Sequence, residues 1–149
     1  MYRPTTSNFR ASDMILEKNM GLPILQVESG QFSPSPEVCI AVLHSRKLVV
    51  VILKNEGKSS WNYNVLYEHQ FDRNAFNLVS GNFGKSSKTQ ICVQSVDGAL
   101  FFFEHDTLMF QIQLPDFLIP GPLLYSSNLD SIVLANSNLE LECYRFSSL

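Results

Sequence analysis

Three cysteines are the residues of this chain best suited to bind a metal or to act as nucleophiles. Cys39, Cys92 and Cys143 are separated by 53 and 51 residues, and each lies in an apolar stretch. Metal sites usually take two ligands from one turn, as in Cys-x-x-Cys, and the sequence has no such pair. An odd cysteine count does not suit a disulfide framework and favours a reducing compartment. The pattern predicts buried thiols that pack as small hydrophobic side chains.

Histidines next to acidic residues are candidates for general acid–base catalysis. Glu68-His69 and Glu104-His105 each join the two residue types near the end of an apolar stretch, and His44 stands apart. Adjacent residues of a strand point to opposite faces, so neither pair can cooperate locally. The sequence also lacks a Gly-x-Ser-x-Gly nucleophile elbow. We therefore expect no catalytic residue and no metal ligand in this chain.

The segment Gly81-Asn82-Phe83-Gly84-Lys85-Ser86-Ser87 has the composition of a phosphate-binding loop. A Walker A loop needs four residues between its glycines, and this segment has two. It also stands between two predicted strands, without a helix N-terminus to hold an anion. The segment predicts a bend that needs Gly81 and a polar loop after it. We expect no cofactor site.

Strands are predicted from residue 22 onward. There, short apolar runs rich in Val, Ile, Leu and Phe alternate with clusters of Gly, Pro, Asn, Ser and Asp. The predicted strands are 24–28, 38–43, 48–53, 63–70, 76–82, 89–95, 99–104, 108–113, 122–126, 131–135 and 139–146. Hairpin turns are expected at His44–Lys47 and at Val96–Gly98, where an Asp-Gly pair supplies positive φ. A short helix is expected over Ser12–Met20, capped by Ser12 or Asp13.

An internal repeat organises these strands. Ser29–Phe32 recurs as Ser80–Phe83 after 51 residues, and an isoleucine follows each Phe by eight residues, at Ile40 and Ile91. A shorter third copy runs through Ile132–Tyr144. A period near 50 with about four strands per unit is typical of a β-propeller blade. A parallel β-helix or a β-sandwich remains an alternative at this stage.

The repeat length predicts an incomplete propeller. Residues 22–149 supply about two and a half four-stranded antiparallel blades, and closed propellers have at least four. We expect residues 1–21 to form a weakly ordered or short helical arm, and 22–149 to form incomplete propeller blades. Open ends would then expose apolar runs such as Leu48–Leu53 or Leu100–Phe103. The apolar loop Asp116–Pro122 is expected to pack over a blade edge or to form part of a protein contact.

Charge and hydropathy exclude several function classes. The chain has 11 basic and 14 acidic residues and a net charge of -3, which argues against a nucleic-acid groove or a clamp on an anionic membrane. The longest apolar run, Leu48–Leu53, is far shorter than the roughly 20 residues that span a bilayer. Only 17% of residues are charged, so much of the surface should be buried.

Several longer strings carry a family resemblance. They are Pro23–Phe32, Ala41–Leu48, Tyr67–His69, Ile91–Gly98 and Leu114–Ser127. Over residues 22–146 the sequence resembles the N-terminal β-propeller of one protein family. This is the family of the ninth Bardet–Biedl syndrome protein, also called parathyroid-hormone-responsive protein, whose members are subunits of the BBSome. Residues 1–21 do not look like the first blade of that family, and the chain stops within the propeller.

The resemblance implies a non-enzymatic scaffold or interaction module in ciliary membrane-protein trafficking and cilium assembly. The implied partners are other BBSome subunits and, through the complex, a small Arf-like GTPase and ciliary membrane-protein cargo. The implied location is the cytoplasm, the centriolar satellites and basal body, and the primary cilium with its membrane, as a peripheral protein. The alternatives are a propeller-type adaptor of another vesicle coat or trafficking complex, and a propeller enzyme with a site in its central channel.

Overall fold

The structure is a computed structural model that describes residues 11–57, 60–115 and 121–149. It contains eleven antiparallel strands in three sheets and no α-helix in the described ranges. We call the sheets blades 1, 2 and 3. Blade 1 consists of β1 (Gln26–Gly30), β2 (Cys39–His44), β3 (Lys47–Gly57) and β4 (Ser60–Gln70). Blade 2 consists of β5 (Ala75–Gly81), β6 (Gln90–Ser95), β7 (Ala99–Glu104) and β8 (Thr107–Gln113). Blade 3 consists of β9 (Leu123–Ser126), β10 (Ser131–Ala135) and β11 (Leu141–Arg145).

This architecture confirms the all-β, partial propeller fold. Each strand pairs with its neighbour in sequence, and the first strands of consecutive blades, β1, β5 and β9, lie beside one another. All eleven predicted strands are present, with ends within a few residues of the predicted ones. Blade 3 has three strands, so the described chain holds two four-stranded blades and one smaller blade.

Both hairpin turns are confirmed. His44 pairs with Lys47, which leaves a two-residue turn between β2 and β3. Between β6 and β7 the Gly98 amide donates to Ser95 O at 3.3 Å, and Gly98 has φ 87°. Glycine alone supplies the positive φ there, as in a three-residue hairpin loop, whereas we expected the Asp-Gly pair to do so.

The expected helix over Ser12–Met20 is wrong. A single 3-10 turn spans Ala11–Asp13, and the chain continues without regular structure to Pro23 and β1. A nine-residue helix is marginal in water, and Gly21 and Pro23 prevent its extension. The segment instead lies along the face of blade 1 that points away from blade 2. There Pro23 O lies 2.9 Å from His44 Nδ1, and Lys18 Nζ lies 5.0 Å above the Tyr63 ring.

The expectation that the apolar runs would be exposed is also wrong. Leu48–Ile52 and Leu100–Phe103 are buried, because they form the third strands of blades 1 and 2 and are covered on both faces. Strands that are buried on both faces have continuous apolar sequences instead of alternating ones. The continuous apolar sequence of these runs therefore places them in the core.

Two apolar clusters join the blades. Interface 1 lies between blades 1 and 2 and has the buried core Phe32, Cys39, Ala41, Leu43, Leu48, Val50, Phe71, Ala75, Leu78, Ile91, Val93, Ala99, Phe101 and Phe103. Interface 2 lies between blades 2 and 3 and has the buried core Phe83, Cys92, Leu100, Phe102, Leu114, Ile132 and Leu134. Neighbouring residues of β7 alternate between the two interfaces, so blade 2 stabilises both neighbours.

Candidate functional site: the blade interfaces and the open face of blade 3

The candidate catalytic and metal-binding residues do not come together in the described part of the chain. No group of three or more His, Cys, Asp or Glu residues there has the geometry to hold a metal ion. Glu68 accepts from Lys47 Nζ at 3.1 Å, and Glu104 accepts from Lys88 Nζ at 2.6 Å and from Gln90 Nε2 at 3.0 Å. The hydrogen bonds of these acidic side chains thus go to two amines and an amide.

The three cysteines have different environments. Cys39 and Cys92 are fully buried, in interfaces 1 and 2 respectively, as predicted. Burial in apolar surroundings raises the pKa of the Cys92 thiol far above its usual range. The prediction of a buried thiol is wrong for Cys143, which is exposed on β11. The reason is that Cys143 points away from interface 2, to a face of blade 3 that no described residue covers.

His69 lies at interface 1 as a packing residue. Its ring stacks on Phe103 at 4.3 Å between centroids and meets the edge of Tyr67 at 5.5 Å. Partial burial lowers the pKa of His69, and the backbone of His105 and the charge of Asp106 offset this only in part. The side chain is therefore held as the neutral imidazole. Tyr67 completes the contact by donating from its hydroxyl to Phe32 O at 2.7 Å.

Interface 1 has a polar clamp between the first strands of blades 1 and 2. The Gln26 side chain donates from Nε2 to Leu78 O at 2.8 Å and accepts from Leu78 N at 2.9 Å through Oε1. One side-chain amide thereby satisfies both backbone groups of Leu78 on the free edge of β5. A second contact runs from Ser80 Oγ to Glu28 Oε1 at 3.1 Å. Buried backbone groups need such partners, and the clamp fixes the register of the two strands.

Interface 2 has a different clamp, centred on Asp130. The carboxylate accepts from Gly84 N at 3.0 Å and from the Tyr125 hydroxyl at 2.8 Å. Desolvation, followed by the hydrogen bond to Asp130 and its charge, raises the pKa of Tyr125 to about 12. The loop with the composition of a phosphate-binding loop thus uses its Gly84 amide to hold a carboxylate of blade 3. The Tyr125 ring lies against Gly81, where an added Cβ would stand 2.7 Å from Tyr125 Cε1.

The outer face of blade 3 carries a row of apolar side chains in register. Leu124 pairs with Val133, and Val133 pairs with Cys143, so the three residues lie side by side on the face opposite to interface 2. Leu124 is 57% exposed and Leu141 is 77% exposed. In β11, Leu141 and Cys143 point outward, whereas Glu142 points inward and accepts from Asn136 at 2.9 Å. We call Leu124, Val133, Leu141 and Cys143 the open face.

The open face matches the face that blade 2 uses to bind blade 3. In blade 2 the corresponding row is Val79, Cys92 and Phe102, again paired directly across three strands. That row packs into interface 2. The open face is therefore a blade-packing surface by its geometry, and no described residue packs on it. Exposed contiguous apolar surface of this kind marks interaction sites.

Part of the expected interaction loop lies outside the described residues, namely Asp116–Pro120. Its described end contacts the first strand of blade 2, where Asn77 Nδ2 donates to Gly121 O at 2.5 Å. The two clamps could not be predicted from local sequence patterns, because the Gln26–Leu78 and Gly84–Asp130 contacts that join the blades link residues 52 and 46 positions apart. No helix of the described residues is both long and apolar enough to cross a membrane.

Solved structures support the fold. One chain of the Chaetomium thermophilum Polycomb Repressive Complex 2 aligns with a TM-score of 0.66, and the match covers 89% of this chain and 30% of that one. The sequences are 13% identical, so the similarity supports the fold and nothing about activity.

Sequence comparison identifies the family. This chain is 39% identical to Protein PTHB1 of Homo sapiens over 152 residues, and 39% identical to Protein PTHB1 of Xenopus laevis over 147 residues. The matches cover 97% and 94% of this chain, which spans 17% of the length of each relative. A family model described as PTHB1 N-terminal matches residues 1–149, including the first 21 residues that we judged unlike the family. Because that family model matches the whole chain, the chain belongs to the PTHB1 N-terminal family.

Proposed function

We propose that this chain is a non-enzymatic scaffold and interaction module of the BBSome, acting in ciliary membrane-protein trafficking and cilium assembly. The observation that carries this proposal is the match to PTHB1 proteins along nearly the whole chain, at 39% identity. Matches of that length and identity support a shared role as well as a shared fold. In this role, surfaces and not a chemical site carry the function.

The open face is the surface we assign to assembly. Its exposed leucines, Leu124 and Leu141, have the register of a row that already binds a blade elsewhere in the molecule. The occupant we propose is an apolar sheet supplied within the BBSome. Through that complex the chain would act with a small Arf-like GTPase and ciliary membrane-protein cargo, as a peripheral protein at the basal body, the centriolar satellites and the cilium.

Co-purification from ciliated cells tests the proposal. The tagged chain is expressed beside a Leu124→Asp/Leu141→Asp variant, which places two carboxylates on the open face. A matched control, Leu66→Asp, places a carboxylate on an exposed leucine of β4, far from that face. We expect other BBSome subunits to co-purify with the original chain and the control. Recovery from the double variant should fall about tenfold or more, because burying an unpaired carboxylate is costly.

Other outcomes would contradict the proposal. Recovery of chaperones alone with the original chain would mean that it does not enter the complex. Recovery of subunits of a different coat would favour the alternative, a propeller-type adaptor of another trafficking complex. Equal loss in the double variant and the control would refute the role of the open face. Thermal unfolding of the three purified proteins separates loss of binding from loss of folding.

A further inference from the structure

The loop between β1 and β2 contains two consecutive Ser-Pro pairs. Its sequence is Ser33-Pro34-Ser35-Pro36-Glu37. Both prolines are exposed and both serines are partly accessible, in a segment without helix or strand. Proline disfavours the helical conformation of the residue before it, so each serine is biased towards extended backbone. An extended Ser-Pro segment is the form of substrate that proline-directed protein kinases bind.

The two serine hydroxyls differ in accessibility. Ser33 Oγ donates to Ser35 O at 3.4 Å and lies 3.6 Å from the sulfur of Cys39, which is fully buried. Ser35 Oγ contacts only the exposed Glu37 in the described residues, through the carboxylate at 3.1 Å and the amide nitrogen at 3.5 Å. Ser35 therefore presents the more reachable nucleophile of the pair.

The loop faces cationic and hydroxyl side chains of blade 2 across an open cleft of about 450 Å³. Ser35 lines one side, and Ser87, Lys88, Thr89 and His105 line the other. The Lys88 ammonium has three N–H donors, and Glu104 accepts from it at 2.6 Å. The remaining donors of that ammonium leave capacity for a second anion.

We infer that Ser35 is a phosphorylation site for a proline-directed protein kinase, and that its phosphate binds Lys88 across the cleft. Ser35 Oγ attacks the γ-phosphorus of ATP, the hydroxyl proton passes to the catalytic base of the kinase, and the bond to the leaving ADP breaks. The product carries about -1.5 to -2 charges at neutral pH. It is repelled by the carboxylate of Glu37 and attracted by Lys88, so it draws the blade 1 loop towards blade 2.

Phosphate mapping tests the site. The full chain is incubated with a proline-directed kinase and Mg-ATP, and the modified residue is located by mass spectrometry. We expect one phosphate, on Ser35, which Ser35→Ala and Pro36→Ala both abolish and Ser33→Ala retains. Modification of Ser33 in place of Ser35, or no modification of this loop, would overturn the inference.

Phosphorus NMR tests the contact with Lys88. Its readout is the second pKa of the phosphoserine, which is about 6 without a partner. We expect this pKa to be lower in the folded chain than in the denatured chain by roughly half a unit, the size of an exposed ion pair. Lys88→Ala should remove the difference. Lys85 belongs to the same loop but does not line the cleft, so the Lys85→Asn variant should keep the pKa difference. Equal pKa values in the folded and denatured chains would refute the contact.

Discussion

The two blade interfaces are built from different side chains. Small and aliphatic residues such as Ala41, Leu43 and Val50 make up most of the buried core of interface 1, beside the rings of Phe71 and Phe103. Interface 2 consists largely of aromatic side chains that contact one another. Phe83 meets Tyr125 edge-on at 4.6 Å, and Phe102 stacks on Phe110 at 4.6 Å.

The difference follows from the size of the sheets that meet. Interface 1 joins two four-stranded sheets, and most of its buried residues are small or aliphatic. Interface 2 joins four strands to three, and Phe146, from the 3-10 turn Phe146–Ser148, lies beside the outer part of the sheet. Its ring reaches Phe83, Phe102 and Phe110 at 5.5 to 5.8 Å. Large aromatic side chains thus cover the area where a fourth strand stands in the other blades.

The largest expected effect is at Gly81, where interface 2 has no space for a side chain. Gly81→Arg would force a Cβ and a long cationic side chain into the Tyr125 ring. We expect loss of more than about 3 kcal/mol of stability, because overpacking and an unpaired charge act together. Thermal unfolding of the variant measures this. Asn64→Arg, on the exposed side of β4, is the control and should be near neutral. An unchanged melting temperature for Gly81→Arg would contradict the close packing at interface 2.

A pair of neighbouring phenylalanines compares the interfaces directly. Phe101 points into interface 1 and Phe102 into interface 2, and both are buried. We expect each alanine variant to lose about 3 to 5 kcal/mol. Phe102→Ala should lose roughly 1 kcal/mol more, because that ring contacts three others, whereas Phe101 contacts Phe71. Chemical denaturation of both variants gives the difference, and a larger loss for Phe101→Ala would reverse our ranking of the interfaces.

The polar clamp of interface 1 should have a smaller effect. Gln26→Leu keeps the approximate volume but leaves both backbone groups of Leu78 without their partner. We expect a loss of about 1 to 3 kcal/mol, the cost of unsatisfied buried groups. Gln31→Leu, in the exposed loop after β1, is the matched control. Equal unfolding midpoints for the two variants would show that the clamp does not stabilise interface 1.

The strands could be predicted from the sequence, whereas the contacts between blades could not. Runs such as Leu48–Leu53 and the turn at Gly98 are local signals, so the strands and hairpins could be predicted. The direction in which a strand residue points depends on which sheet covers each face, and the prediction for Cys143 failed for that reason. The Gln26–Leu78 and Asp130–Gly84 contacts depend on the placement of one blade on the next. No local pattern encodes that placement.

The smallest expected effect is a pH dependence of folding stability that arises from His69 at interface 1. The pKa of His69 is lowered in the folded chain by burial against Phe103, relative to 6.5 in the unfolded chain. The unfolded state therefore binds a proton more readily, so the stability that His69 contributes is present above pH 6.5 and decreases as the pH falls below it. The His69 side chain is only partly buried, which limits the size of the effect. Denaturation midpoints from pH 7.5 to 5.5 measure it.

His69→Gln provides the control, because glutamine does not titrate in this range. We expect the variant to lose the part of the pH dependence that lies between pH 6.5 and 5.5, while its stability at pH 7.5 falls through the lost ring contacts. The aromatic cluster of interface 2 contains no histidine, so the Phe102→Ala variant should keep the full pH dependence of the original chain. If Phe102→Ala removed that dependence and His69→Gln did not, the titrating group would lie outside interface 1.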